Sequence, residues 1–217
     1  MKDKNNTSVS VIGGADGPTS VFIVGRTGKK PFRMQFWDYT HRCKRRRVEK
    51  KIVAIPHTLQ EVAHYAMEKY SAVEVLASDI KYIEKRKSAK EGLIIKHKPE
   101  LLGDMLNIKI PTQYDEDAIK VLNQQIQARN EKIAEIPDSE IPMDFHVYVV
   151  RKDKDALDID MDYKWNIFAV SYGGGSKKAM KQFQKIAKEL YLYYGVTEED
   201  IRNKTERYSH LVSILSM

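Results

Sequence analysis

Between positions 13 and 19 the chain sets three glycines, a proline and one carboxylate into seven residues, Gly13-Gly14-Ala15-Asp16-Gly17-Pro18-Thr19. Helix and strand interiors reject such a run, because glycine loses the most backbone entropy on ordering and proline lacks a donor. On either side, Ser8 to Ile12 and Ser20 to Val24 are rich in Val, Ile and Phe and suit strands. The stretch therefore predicts two strands joined by a glycine loop. A loop with so few side chains exposes its N–H groups and can cradle an anion. Asp16 with loop carbonyls can instead hold a cation. The plainest reading is a hairpin turn in which Asp16 bonds its own backbone.

Ile12-Gly13-Gly14-Ala15-Asp16-Gly17-Pro18-Thr19 closely resembles the signature loop in the β subunit of the sodium-pumping decarboxylases, of the oxaloacetate and glutaconyl-CoA type. The resemblance covers about Ser8 to Val24. In that family the loop lies inside the membrane and its aspartate, matched here by Asp16, is implicated in sodium and proton transfer. The family is a polytopic membrane protein, and the remainder of this chain departs from it. An intramembrane carboxylate takes its meaning from lipid and neighbouring helices. Without them, ion translocation does not carry over to this chain.

Composition narrows the class. The 217 residues are 42% hydrophobic and 31% charged, which suits a soluble globular protein of one large or two small domains. Asn5 to Gly25 is almost uncharged, but Asp16, Pro18 and four glycines interrupt it. It predicts no membrane insertion. Lys2-Asp3-Lys4 has the wrong charge pattern for a signal peptide. A lone Cys43 excludes an internal disulfide and any cysteine-rich zinc site, and points to the cytoplasm.

The formal net charge is +7, and Lys29 to Lys51 carries most of the excess. There Phe36 and Trp37 precede a dense basic run, Arg42, Lys44, Arg45, Arg46 and Arg47, continuing to Lys51. Aromatics beside arginines suit nucleic acid, with rings stacking on bases and guanidinium groups pairing with phosphates. A solvated basic helix or strand face, or a patch for an acidic protein, explains the same residues.

Further along, Ile52 to Ile55 reads as a short strand stopped by Pro56. Thr58 and Glu61 form a capping box for a helix through Leu59, Val62, Ala63, Ala66 and Tyr70. Val73 to Leu76 reads as a strand. Ser78 caps a helix that Gly92 ends, and Leu93 to Lys96 reads as another strand. Pro99 to Leu106 reads as a helical turn, with Asn107 to Ile110 extended. Asp115, Glu116 and Asp117 open a long helix to about Glu135. Pro137 to Pro142 reads as a linker, giving regions 1–136 and 143–217, with one continuous domain as the alternative.

The second region opens with a strand from Phe145 to Arg151. Leu157, Ile159 and Met161 then alternate with Asp158, Asp160 and Asp162, predicting a strand with one apolar and one acidic face. The acidic face is expected to be solvated or to meet lysines, because the calcium-loop pattern fails at Tyr163 and Ala169. No metal ligand is assigned. A third strand, Trp165 to Ser171, leads into Gly173-Gly174-Gly175-Ser176-Lys177 and a helix. That succession offers an anion site, or simply a loop with Ser176 as N-cap. Gly195 stops this helix, and Thr197 caps a final one through Leu215.

The whole reads as α+β, with a glycine-linked strand pair first and a strand meander followed by two helices last. The six histidines are scattered, and neither a nucleophile elbow nor a dinucleotide fingerprint occurs. Whether any reaction is catalysed, and with what cofactor, stays open. The expectation is a binding protein for a small anionic or nucleotide-like ligand, through Gly13, Gly14, Asp16, Gly17 and Thr19 with Gly173, Gly174, Gly175, Ser176 and Lys177. The alternatives are a nucleic-acid binder using Phe36, Trp37 and the arginine run, an adaptor for an acidic protein, and an accessory to a decarboxylase complex.

Overall fold

A computed structural model of the protein describes residues 8–11, 21–24, 32–108, 111, 115–173 and 176–216, with side chains described from Tyr39 onward. The fold is α+β. Strands β1 (Ser8–Val11) and β2 (Val21–Val24) pair in a two-stranded sheet, as the flanks of the glycine loop require. Chain contacts separate a unit containing Ile23–Glu74 and His146–Met217 from a unit containing Val75–Phe145.

The first of these units holds helices α1 (Phe32–Glu49) and α2 (Leu59–Tyr70). The capping box of α2 forms as its residues dictate. Glu61 N–H donates to Thr58 Oγ1 at 3.2 Å, and Thr58 N–H donates back to Glu61 Oε2 at 2.7 Å. The short strand β3 (Val73–Glu74) borders a meander of β4 (Phe145–Lys152), β5 (Asp155–Asp162) and β6 (Ile167–Gly173), in spatial order β3-β4-β5-β6. Leu157, Ile159 and Met161 of β5 lie opposite Tyr172, Val170 and Phe168 of β6. Opposed residues share a face, so these six make one apolar surface.

Helix α5 (Lys177–Tyr194) packs on β6 and buries Phe183, Ala187 and Leu190 in the same core. Phe183 is wholly buried, and truncation to Ala at such a site costs about 3–5 kcal/mol. Two further helices follow, α6 (Glu198–Asn203) and α7 (Glu206–Ser216). The sequence predicts one helix here. Lys204 breaks it by taking a left-handed conformation, and Thr205 Oγ1 donates to Asp200 Oδ1 at 2.6 Å across the break. Helix α7 packs against α1 and α5 and buries Tyr208, Leu211 and Val212.

The other unit holds α3 (Ile80–His97), two short 3-10 turns over Pro99–Leu101 and Gly103–Leu106, and α4 (Glu116–Glu135). Asp115 caps α4 by accepting from Ala118 N–H at 2.8 Å. Helix α3 corrects three expectations. Asp79, not Ser78, is its N-cap. The helix continues through Gly92, and Leu93 to Lys96 is helical rather than a strand. The reason is burial. Leu93 and Ile94 are adjacent core residues, and their packing outweighs the roughly 1 kcal/mol cost of a helical glycine. The 137–142 stretch is tied to α3, because Asp138 binds Arg86 at 2.6 Å and Lys90 at 2.9 Å, while Ile141 is fully buried.

Ile52 to Ile55 is not a strand either. Of the extended stretch expected before Pro111, residues 109 and 110 lie outside the described residues. Among the described residues, no helix is long and apolar enough to cross a membrane.

Candidate functional site

Helix α1 carries the basic run from Arg42 to Arg47 on one continuous element. Arg42, Lys44, Arg46 and Arg47 are exposed, as are Lys50 and Lys51 just beyond the helix end. Arg42, Arg46 and Lys50 are spaced four apart and form a row along one face. The Lys50 N–H bond to Arg46 O keeps that row helical at its end. Arg45 points elsewhere. It is half-buried and pairs with Glu49 at 3.3 Å. Arg46 and Arg47 also lie in the last turn, where cations oppose the helix dipole. Phe36 and Trp37 belong to α1, but their side chains lie outside the described residues.

The glycine loop is different. Gly13, Gly14, Asp16, Gly17 and Thr19 lie outside the described residues, as do Gly174 and Gly175. Gly173 ends β6 and is exposed. Ser176 caps α5, its hydroxyl accepting from Ala179 N–H at 3.4 Å, and Lys177 is the first residue of that helix.

The acidic strand face departs from expectation. Asp160 is 3% exposed and Asp162 is 0% exposed, so these carboxylates are buried rather than solvated. One physical cause is visible: Asp162 closes the β5–β6 turn, where its Oδ1 accepts from Lys164 N–H at 3.0 Å and Trp165 N–H at 2.9 Å. Among the described residues, no three His, Cys, Asp or Glu groups gather as a metal site would need.

Sequence reasoning missed a cleft of about 400 Å³ at the start of α2. It is lined by residues 56–61, by Tyr163 and Asn166 of the β5–β6 turn, and by Arg207 of α7. His57 stacks on Tyr193 with ring centroids 4.0 Å apart, and Tyr193 stacks on Tyr65 at 4.1 Å. His57 Nδ1–H donates to Tyr193 O at 2.5 Å, which fixes the ring. Arg207 ties the cleft together. Its Nε donates to Gly195 O at 2.8 Å, and its Nη2 donates to Tyr194 O at 2.5 Å and His57 O at 3.2 Å. Its guanidinium carbon also lies 3.6 Å from the centre of the Tyr194 ring.

Burial raises the Tyr194 phenol above the ordinary tyrosine range, and the Arg207 charge opposes that rise. The Tyr194 hydroxyl donates to Asn166 Oδ1 at 3.2 Å. Bonds from the Thr58 N–H and then the Thr58 hydroxyl hold the Glu61 carboxyl below its usual range. The sequence showed only Pro56-His57 beside the capping box. Nothing local connects it to residues more than 100 positions later.

Neither a family model nor a curated protein nor a solved structure matches this chain.

Proposed function

We propose that the protein binds nucleic acid through the exposed face of α1. The observation that supports this is the row Arg42, Arg46 and Lys50, flanked by Lys44, Arg47 and Lys51, along α1 and the two residues just past its end. Residues 29–51 contain ten Lys or Arg and two carboxylates, against a formal net charge of +7 for the whole chain. One of those carboxylates, Glu49, is paired with Arg45 and does not neutralise the row. At 1.5 Å per residue the row spans about 12 Å, the axial reach of roughly three phosphates of one strand. Guanidinium groups grip phosphate by two parallel hydrogen bonds, which favours arginine in such a place.

The test is binding of a labelled oligonucleotide over a range of salt. Phosphate neutralisation releases counterions, so log K must fall linearly with log salt. Absent or salt-insensitive binding sinks the proposal. An adaptor for an acidic protein would instead bind polyglutamate and nucleic acid alike.

A further inference from the structure

From the cleft at the start of α2 we infer that the protein seats an unpaired nucleobase against His57, which makes single-stranded nucleic acid its substrate. This rests on the nucleic-acid reading of α1 and adds a base site to it.

The ring stack is the first argument. Tyr193 covers one face of the His57 imidazole and is not a wall of the cleft, whereas His57 is. A planar ligand stacked on His57 in the cleft would extend the series Tyr65, Tyr193, His57. The nearly parallel planes, 5° and 14° apart, and the bond to Tyr193 O hold His57 ready for such a partner. Base–aromatic stacking is tolerant of sequence, because every base has a π face.

The second argument is the polar wall. Asn166 lines the cleft, and its Oδ1 accepts from the Tyr194 hydroxyl. Gln60 brings a second primary amide. Primary amides carry N–H donors that pair with acceptors on base edges.

The Glu61 carboxylate also lines the cleft and repels an anion. Arg207 already serves three backbone carbonyls. The cleft therefore suits the uncharged base, while the phosphates follow α1. Four residues, 52–55, separate Lys51 from Pro56, the first residue of the cleft lining. Arg45 and Glu49 of α1 also act electrostatically on Tyr208, the neighbour of Arg207.

The experiment compares three probes of equal phosphate number: a single-stranded oligonucleotide, its abasic counterpart and a duplex. The single strand should bind about tenfold more tightly than the abasic strand. His57→Ala should abolish that difference, and His57→Phe, which keeps a stacking face, should retain most of it. Thermal unfolding of each variant checks that the fold persists. Adenosine, which carries no phosphate, should shift the side-chain amide resonances of Asn166 and Gln60. Equal binding of all three probes, with His57→Ala unchanged and no adenosine shifts, overturns the base site and leaves the α1 proposal standing. No binding of any probe overturns the α1 proposal, and the single-strand inference falls with it.

Discussion

The carbonyl of Ile55 occupies the space that a side chain on residue 195 would need. A Cβ placed on Gly195 would overlap Ile55 O and lie 2.9 Å from the Ile55 carbonyl carbon. Gly195 also has φ 60° and ψ −160°, a region open almost only to glycine. This residue caps α5 and gives its carbonyl to Arg207, so the chain on one side of the cleft depends on it. Gly195→Ala should destabilise the protein by about 3 kcal/mol or more, combining backbone strain with the clash. Urea unfolding measures this. A loss below about 1 kcal/mol would mean that the approach of Ile55 to Gly195 is wrong.

Glu189 of α5 accepts from the Tyr70 hydroxyl and from Lys69 Nζ of α2, the latter at 2.9 Å. The Tyr70 bond and then the Lys69 bond hold the Glu189 carboxyl below its ordinary range. A depressed carboxylate contributes stability above its unfolded pKa, and that contribution is lost as pH falls through the folded value. Tyr70 is raised, by burial first and by Glu189 second. Lys69 is raised by Tyr65 and then Glu189. Raised groups contribute below their unfolded pKa, and their contribution disappears as pH rises through the folded values. The network therefore holds across the neutral range and fails at both extremes. In Glu189→Gln, tyrosinate absorbance should show Tyr70 ionising at lower pH than in the wild type, yet above an ordinary tyrosine because burial remains. An unchanged titration would show that Glu189 does not govern Tyr70.

Asp162 offers a sharper comparison. Its Oδ1 satisfies two turn amides, whereas its Oδ2 is buried with no hydrogen-bond partner. The geometry of Oδ1 holds the turn, and the second oxygen adds nothing by hydrogen bonding. Asp162→Ala leaves two backbone donors unpaired and should cost about 1–3 kcal/mol. Asp162→Asn keeps the acceptor and removes the buried charge, so it should be closer to wild type than the Ala variant. Denaturant midpoints settle the order, and the reverse order would mean that the charge itself supports the fold.

The sequence revealed what depends on near neighbours. Thr58 and Glu61 announced a helix start by their spacing, and so did Asp115 and Ser176. The period-two run Leu157 to Asp162 announced β5 for the same reason. Failure came where distant packing decided. Gly92 looked like a stop because only core burial of Leu93 and Ile94 carries α3 past it. Asp160 and Asp162 looked solvated because period two shows which residues share a face of β5 and not whether that face is covered. His57 looked isolated because its partners, Tyr193 and Arg207, come 136 and 150 residues later. The basic run was visible as charge, but its division into the exposed Arg46 and the paired Arg45 required the helix.

That division makes the last prediction. Each cation that neutralises a phosphate adds about 0.9 to the salt slope on duplex DNA and about 0.7 on a single strand. Arg46 is exposed on the row, so Arg46→Gln should weaken binding for every sequence and lower the slope by about that amount. Arg45 is half-buried and paired with Glu49. Arg45→Gln should leave the slope nearly unchanged, even though it removes the same formal charge. The two variants therefore distinguish a placed row of cations from a mere excess of positive charge. Equal loss of slope in both would mean that net charge alone drives binding and that the orientation of α1 is irrelevant. A loss confined to Arg46→Gln ties the phosphates to the exposed face of α1.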